Sequence, residues 1–248
     1  MDYVIDFHTH PFIEEENNFC IYDKNTDFIA DMDNAGISQF CGSVITRKAD
    51  FESIKKCNRD AIELKKLYKE RYIPGIHVHP LHIEESEKEI KLAHENGVKL
   101  IGELVPYMNG WNDYSSKEFS LLLDIIEKYQ MVVSIHTMNY EEQEKMALEH
   151  KNVQFVFAHP GEKSDVSRHI EIMKKCENVC LDLSGTGIFR YGAIRYMVDN
   201  VGADRIVFGT DYPICNAKMY VNAVLGEKLT DRERELILGG NAKRLLGL

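Results

Sequence analysis

The sequence predicts a single-domain (β/α)8 barrel, and three observations carry that prediction. Eight short, near-continuously apolar runs recur at residues 3–7, 38–44, 73–78, 99–104, 131–135, 153–158, 179–183 and 205–208. They start about every 22–35 residues, the length of a strand plus its crossover helix. Stretches of helical periodicity lie between them, and unbroken apolar runs rather than alternation mark strands buried on both faces. The alternative, a doubly wound open sheet, normally carries a Gly-rich phosphate loop after its first strand. Here the first run ends in Phe7-His8-Thr9-His10-Pro11 instead.

Taken in order, the first helix-like stretch is residues 50–72, with Ile54, Ala61, Ile62, Leu64, Leu67 and Tyr68 among many charges. Residues 84–96 carry Ile90, Leu92 and Ala93, and Asn96-Gly97 reads as the stop. Residues 116–129 carry Phe119, Leu122, Leu123, Ile125 and Ile126, with Ser115 or Ser116 as the cap and Glu118 in the first turn. Residues 165–176 and 189–201 repeat the pattern more weakly, and residues 231–238 and 242–246 close the chain as short helices.

Composition narrows the function classes. The chain has 248 residues, with 30 Lys plus Arg against 40 Asp plus Glu, a net charge of −10. An acidic chain does not attract nucleic acid or anionic membranes as a whole. No apolar run approaches the roughly 20 residues of a membrane span. The N-terminus has neither a basic nor an apolar signal region, so a cytoplasmic location is expected. The six cysteines form no CxxC pair and are expected as free thiols.

In a barrel the C-terminal ends of the strands face the active site, so the residues ending each run are the candidates. The first run ends in His8-Thr9-His10, and residues i and i+2 of a strand point the same way, so two imidazoles can address one ion. Glu103 stands in the fourth run, His136 ends the fifth, His159 follows the sixth and Asp211 follows the eighth. Imidazole and carboxylate donors suit Zn²⁺, Mn²⁺, Fe²⁺, Co²⁺ or Ni²⁺, and a set without cysteine points to a catalytic site. A second HxH, His77-Val78-His79, lies around the third run, where structural roles compete with a substrate contact from His79. Tyr107 follows the fourth run as a pocket wall, and Arg190 follows the seventh as a carboxylate clamp or a solvated helix-face residue.

These motifs resemble the amidohydrolase superfamily. HxH after the first strand, a His ending the fifth, His-Pro-Gly after the sixth and Gly-Thr-Asp-Tyr-Pro at the eighth are most similar to its amidohydrolase-2 branch of metal-dependent TIM-barrel hydrolases and decarboxylases. Leu181-Asp182-Leu183-Ser184-Gly185 and residues 240–247 agree with that branch as non-catalytic signatures. The resemblance implies that His8, His10, His136 and Asp211 hold a single metal, with His159 as an acid/base or electrophile beside it. Ile101-Gly102-Glu103 also resembles the TatD-like branch, in which the corresponding glutamate binds metal. On that pattern Glu103 bridges to a second ion held by His136 and His159; otherwise Glu103 orients a ligand histidine.

The implied enzyme is a hydrolase using one or two divalent ions, zinc first among them. Water is the attacking group, Asp211 the general base and then acid, and His159 or the ion the polariser of a small amide, lactone or ester. The alternative is non-oxidative decarboxylation of an aromatic or unsaturated acid on the same ligands. The compactness of the chain, with few residues for covering loops, favours hydrolysis. The resemblance also implies a small-molecule substrate and a homodimer.

Overall fold

The computed structural model describes residues 3–21, 26–111 and 113–248. Eight parallel strands follow chain order around the barrel: β1 Ile5–Thr9, β2 Gln39–Gly42, β3 Tyr72–Ile76, β4 Leu100–Leu104, β5 Val132–His136, β6 Gln154–Ala158, β7 Val179–Asp182 and β8 Ile206–Val207. The β1–β8 seam is closed by Phe7 N–H donating to Phe208 O, Asp211 N–H to His8 O and His10 N–H to Tyr212 O, with a parallel bridge between Thr9 and Tyr212. All eight apolar runs therefore appear as strands. The eighth is shorter than expected because Arg205 belongs to a 3-10 turn, its guanidinium donating to the carbonyls of Cys176 and Val179.

Ten helices surround the strands among the described residues: α1 Phe28–Ala35, α2 Phe51–Tyr68, α3 Ile83–Glu95, α4 Lys117–Lys128, α5 Tyr140–Glu149, α6 Lys163–Lys175, α7 Ala193–Val201, α8 Ala217–Gly226, α9 Asp231–Glu235 and α10 Asn241–Leu246. Of the two candidate caps for α4, Ser116 is the one used, its side chain accepting from Phe119 N–H. Sequence periodicity did not register α1, α5 and α8. Helix α1 buries only Phe28, Met32 and Ala35, and α5 only Gln143, Met146 and Ala147, too few apolar positions for a stripe. Both start instead on side-chain caps, Asp27 and Asn139. The stretch expected as helix from 189 begins only at Ala193, after Gly192 in a left-handed conformation.

The main core lies between strands and helices, with Phe40, Phe155, Phe157 and Phe208 facing outward from the barrel onto helix residues such as Met32, Phe119 and Val224. A smaller cluster joins Ile5, Phe7, Leu100, Val132, Val156 and Val207 to Ala242 and Leu246 of α10. The strand ends at the other mouth are thus left for polar residues. Among the described residues no helix is long and apolar enough to cross a membrane. Cys41, Cys57, Cys176, Cys180 and Cys215 are free thiols.

Candidate metal centre

All six strand-end candidates converge at one end of the barrel. His8, His10, Glu103 and Asp211 are buried, while His136 and His159 are partly so. The Nε2 atoms of His8 and His10 lie 3.1 Å apart. Glu103 sits centrally: its Oε2 is 3.4 Å from His8 Nε2 and 3.5 Å from His10 Nε2, its Oε1 2.8 Å from His136 Nδ1 and 3.0 Å from His159 Nε2. Asp211 Oδ1 approaches His10 Nε2 at 3.3 Å and His8 Nε2 at 3.7 Å.

The outward face of each ring fixes what its inward face presents. His8 Nδ1 is 2.7 Å from Asp182 Oδ2, and His10 Nδ1 is 3.3 Å from the Ser43 carbonyl. The Ser184 hydroxyl donates to Asp182 Oδ1 at 2.5 Å, which leaves its oxygen to accept from His159 Nδ1 at 3.0 Å. Each partner assigns the N–H to Nδ1 and turns an Nε2 lone pair inward. Three such lone pairs face Glu103 carboxylate oxygens 3.0–3.5 Å away. Like electron density at that range repels unless cations stand between.

Without an ion, protons take that place. Burial opposes charging His8 and His10, yet the carboxylates of Asp182, Glu103 and Asp211 lift both rings above the usual histidine range. His159 goes the same way: burial lowers it, but Glu103 overrides and raises it to about 9. Burial pushes Glu103 up, and the surrounding histidines drive it well below the usual carboxylate range. The donors fit a divalent ion. His8, His10 and Glu103 form one group with ligand atoms within 4.8 Å of one another, and Glu103, His136 and His159 form a second. A pair of nitrogens each about 2.0–2.1 Å from one ion can stand as close as His8 and His10 Nε2 do. His136 falls in the group with Glu103 and His159.

Backbone geometry also marks the site. His159 and Asp211 have φ of 69° and 67°, a left-handed region costly for non-glycine residues and frequent at functional positions. Gly185 presses against the His159 ring, where a Cβ would stand 2.3 Å from Nδ1. Asp6 is fully buried and stitches β1 to the end of β8, accepting from His8 N–H and from the Thr210 N–H and hydroxyl.

A cavity of about 550 Å³ opens onto the donors, walled by Ile45, Val105, Met108 and Ile214. Tyr107 lines it, its ring 5.5 Å from that of His136. The other two expected substrate contacts lie elsewhere. Arg190 pairs with Glu162 and stacks over Phe189, outside this cavity. His79 donates from Nε2 to the Asn109 carbonyl at 2.8 Å and accepts Leu81 N–H at Nδ1, so both ring nitrogens are occupied within the fold. Arg47 also lines the cavity, 4.2 Å over the Phe19 ring. Its segment, Thr46-Arg47-Lys48, carries no sequence signal that separates it from a solvated loop. Asp182 does carry one, a carboxylate inside an apolar run, although its motif resembles only a non-catalytic signature.

A family model described as amidohydrolase matches residues 5–248. No curated protein matches the chain. Among solved structures, 2,6-dihydroxybenzoate decarboxylase from Rhizobium superposes with a TM-score of 0.79 at 17% identity, over 100% of this chain and 99% of that one. 5-Carboxyvanillate decarboxylase from Sphingomonas paucimobilis gives 0.75 at 13%, covering 99% of both chains. A dihydroxybenzoic acid decarboxylase from Polaromonas sp. JS666, with bound manganese and the inhibitor 2-nitroresorcinol, gives 0.70 at 16%, over 100% of this chain and 98% of that one. At such identities the likeness is one of fold.

Proposed function

The chain belongs to the amidohydrolase family, and on that premise we propose that it is a metal-dependent decarboxylase of a small aromatic or unsaturated carboxylic acid. The observation that carries this reading is the pairing of a largely buried His/Glu donor cluster, with Asp211 beside it, and an apolar, aromatic-edged cavity whose described lining includes Arg47. Such a cavity accepts a flat ring and pairs its anionic group. The similar folds of three benzoate-type decarboxylases support the same direction. The compactness of the chain, taken alone, favours hydrolysis. That argument loses its force, since the alignments run over 98% or more of those decarboxylase chains.

His8, His10 and Glu103 would hold one divalent ion beside Asp211, and Glu103, His136 and His159 would hold a second. When bound, the ion supplies positive charge that anchors a carboxylate or carbonyl and acidifies water. Zinc heads the expectation from the donors, and manganese joins it from the relative that carries it. Tyr107 and the apolar wall orient the ring and exclude water. Asp211 holds a proton at a carboxyl oxygen and passes it to the ring carbon as the bond to the carboxyl carbon breaks. One substrate anion and one proton become the protonated ring and CO₂.

Glu103 favours a second reading. One carboxylate joining two donor groups suits two ions, an arrangement useful for hydrolysing a lactone, amide or ester. There Asp211 takes a proton from water and returns it to the leaving group. The test is CO₂ release by Mn²⁺- or Zn²⁺-loaded protein on a panel of hydroxybenzoates and unsaturated acids, beside lactone, amide and ester hydrolysis. CO₂ release lost in Asp211→Asn supports decarboxylation. Hydrolysis with no CO₂ from any acid overturns it in favour of the second reading.

A further inference from the structure

His169 lies on α6, ten residues beyond His159, and is fully buried. Its ring packs edge-on to Tyr140, with centroids 5.2 Å apart, and lies 6.2 Å from Phe157. Its Nε2 is 3.2 Å from the backbone carbonyl of His159. A carbonyl only accepts, so Nε2 carries the hydrogen and Nδ1 is a bare lone pair. That Nδ1 has no partner among the described residues. A buried unpaired acceptor is costly, and an apolar side chain among these aromatic rings would avoid the cost. The sequence retains it where the donated hydrogen bond lands on a residue with φ of 69°. A non-glycine residue stays in that region only when its surroundings hold it there.

The geometry points to His169 as the positioning residue for His159. Its N–H pins the His159 carbonyl, holds the left-handed backbone, and so keeps the ring between Ser184 and Glu103 with Nε2 aimed at the Glu103 carboxylate. This role rests on the reading that His159 belongs to the reacting centre. Ser184 sets the ring's tautomer from one side, while His169 sets the backbone that carries the ring.

The test compares His169→Leu, His169→Gln and His159→Ala as full-length proteins, with His169→Met standing in if the leucine variant does not fold. Ring-nitrogen resonances are followed in ¹⁵N-histidine-labelled protein, the His159 signals being assigned by their loss in His159→Ala. Mn²⁺ binding is titrated in parallel. The expected result is a His169→Leu protein that stays folded, with shifted or broadened His159 resonances. Binding at the Glu103–His136–His159 group is about tenfold weaker, and binding at the His8–His10–Glu103 group is unchanged. His169→Gln, which keeps an N–H donor, restores both. Unchanged His159 resonances in a folded His169→Leu protein overturn the inference. So does an equal loss of both ions together with stability, the mark of a purely structural role. If His159→Ala alters neither Mn²⁺ binding nor turnover, the assignment of His159 to the centre fails instead, and the resonances still decide whether His169 positions it.

Discussion

His8 and Asp182 are separated by 174 residues, yet His8 Nδ1 and Asp182 Oδ2 stand 2.7 Å apart in a fully buried pair. The carboxylate comes from the end of β7 and turns the His8 lone pair toward His10 and Glu103. Burial alone raises Asp182, but the charge and hydrogen bond of His8 outweigh it and hold the carboxyl below its usual range. Asp182 also accepts from Ser184 and from the His159 backbone, so one side chain orients two rings of the site.

Replacing Asp182 by Ala should therefore weaken the first ion without touching a donor of the proposed centre. Loss of such an outer carboxylate costs about 10–100-fold in metal affinity. Calorimetric titration of metal-free protein with Mn²⁺ measures it. An unchanged affinity in a folded variant would remove Asp182 from the site's support.

Glu103→Gln keeps the side-chain shape and removes the charge shared by both donor groups. Elemental analysis of protein purified without chelator should find two ions per chain in the native protein, one or fewer in Glu103→Gln, and loss of the first ion in His8→Ala. Metal binding should also release protons, because the donors must shed the hydrogens they hold when ion-free. A single ion indifferent to Glu103→Gln sinks the two-ion arrangement and leaves a mononuclear decarboxylase.

Gly185 has φ of 64°, and a Cβ there meets the His159 ring 2.3 Å from Nδ1. Gly185→Ala should cost stability by about 1–3 kcal/mol, as a residue forced into a sparsely populated backbone region does. Turnover should fall much further, because the displaced ring is His159. Equal, modest losses in melting temperature and kcat would mean that the ring position does not matter.

His77, which is not itself one of the donors, gives the protein an acid limit. Burial, helped by the His10 charge, lowers its pKa to about 4, and its Nε2 meets the Ser43 hydroxyl at 2.9 Å. In the unfolded chain His77 titrates near 6.5. Between pH 6.5 and 4 the unfolded state therefore binds more protons, and stability falls as pH drops through that window. Above it the contribution is complete. Urea unfolding at pH 7 and 4.5 should show the native protein losing about 2 kcal/mol more than His77→Gln. A gap between the two proteins that stays constant with pH would count against a neutral, buried His77.

The eight strands, the barrel and the six strand-end side chains were legible in the sequence because each signal is local. An apolar run of five residues, a period of two along His8-Thr9-His10 and a break after Gly209-Thr210-Asp211 need no knowledge of distant chain. What the sequence could not assign was the partnership among those side chains. Whether His136 joins His8 or Glu103, whether Arg190 or Arg47 lines the cavity, and whether His79 meets substrate or the Asn109 carbonyl depend on how strands far apart in the chain are staggered as the barrel closes. Arg190 has an acidic neighbour in space, Glu162, twenty-eight residues away, and Arg47 has Phe19. Closure of the barrel decided those pairings, because only the tertiary structure brings residues far apart in the chain within reach, and a buried ring such as His79 keeps its place only where its nitrogens find partners.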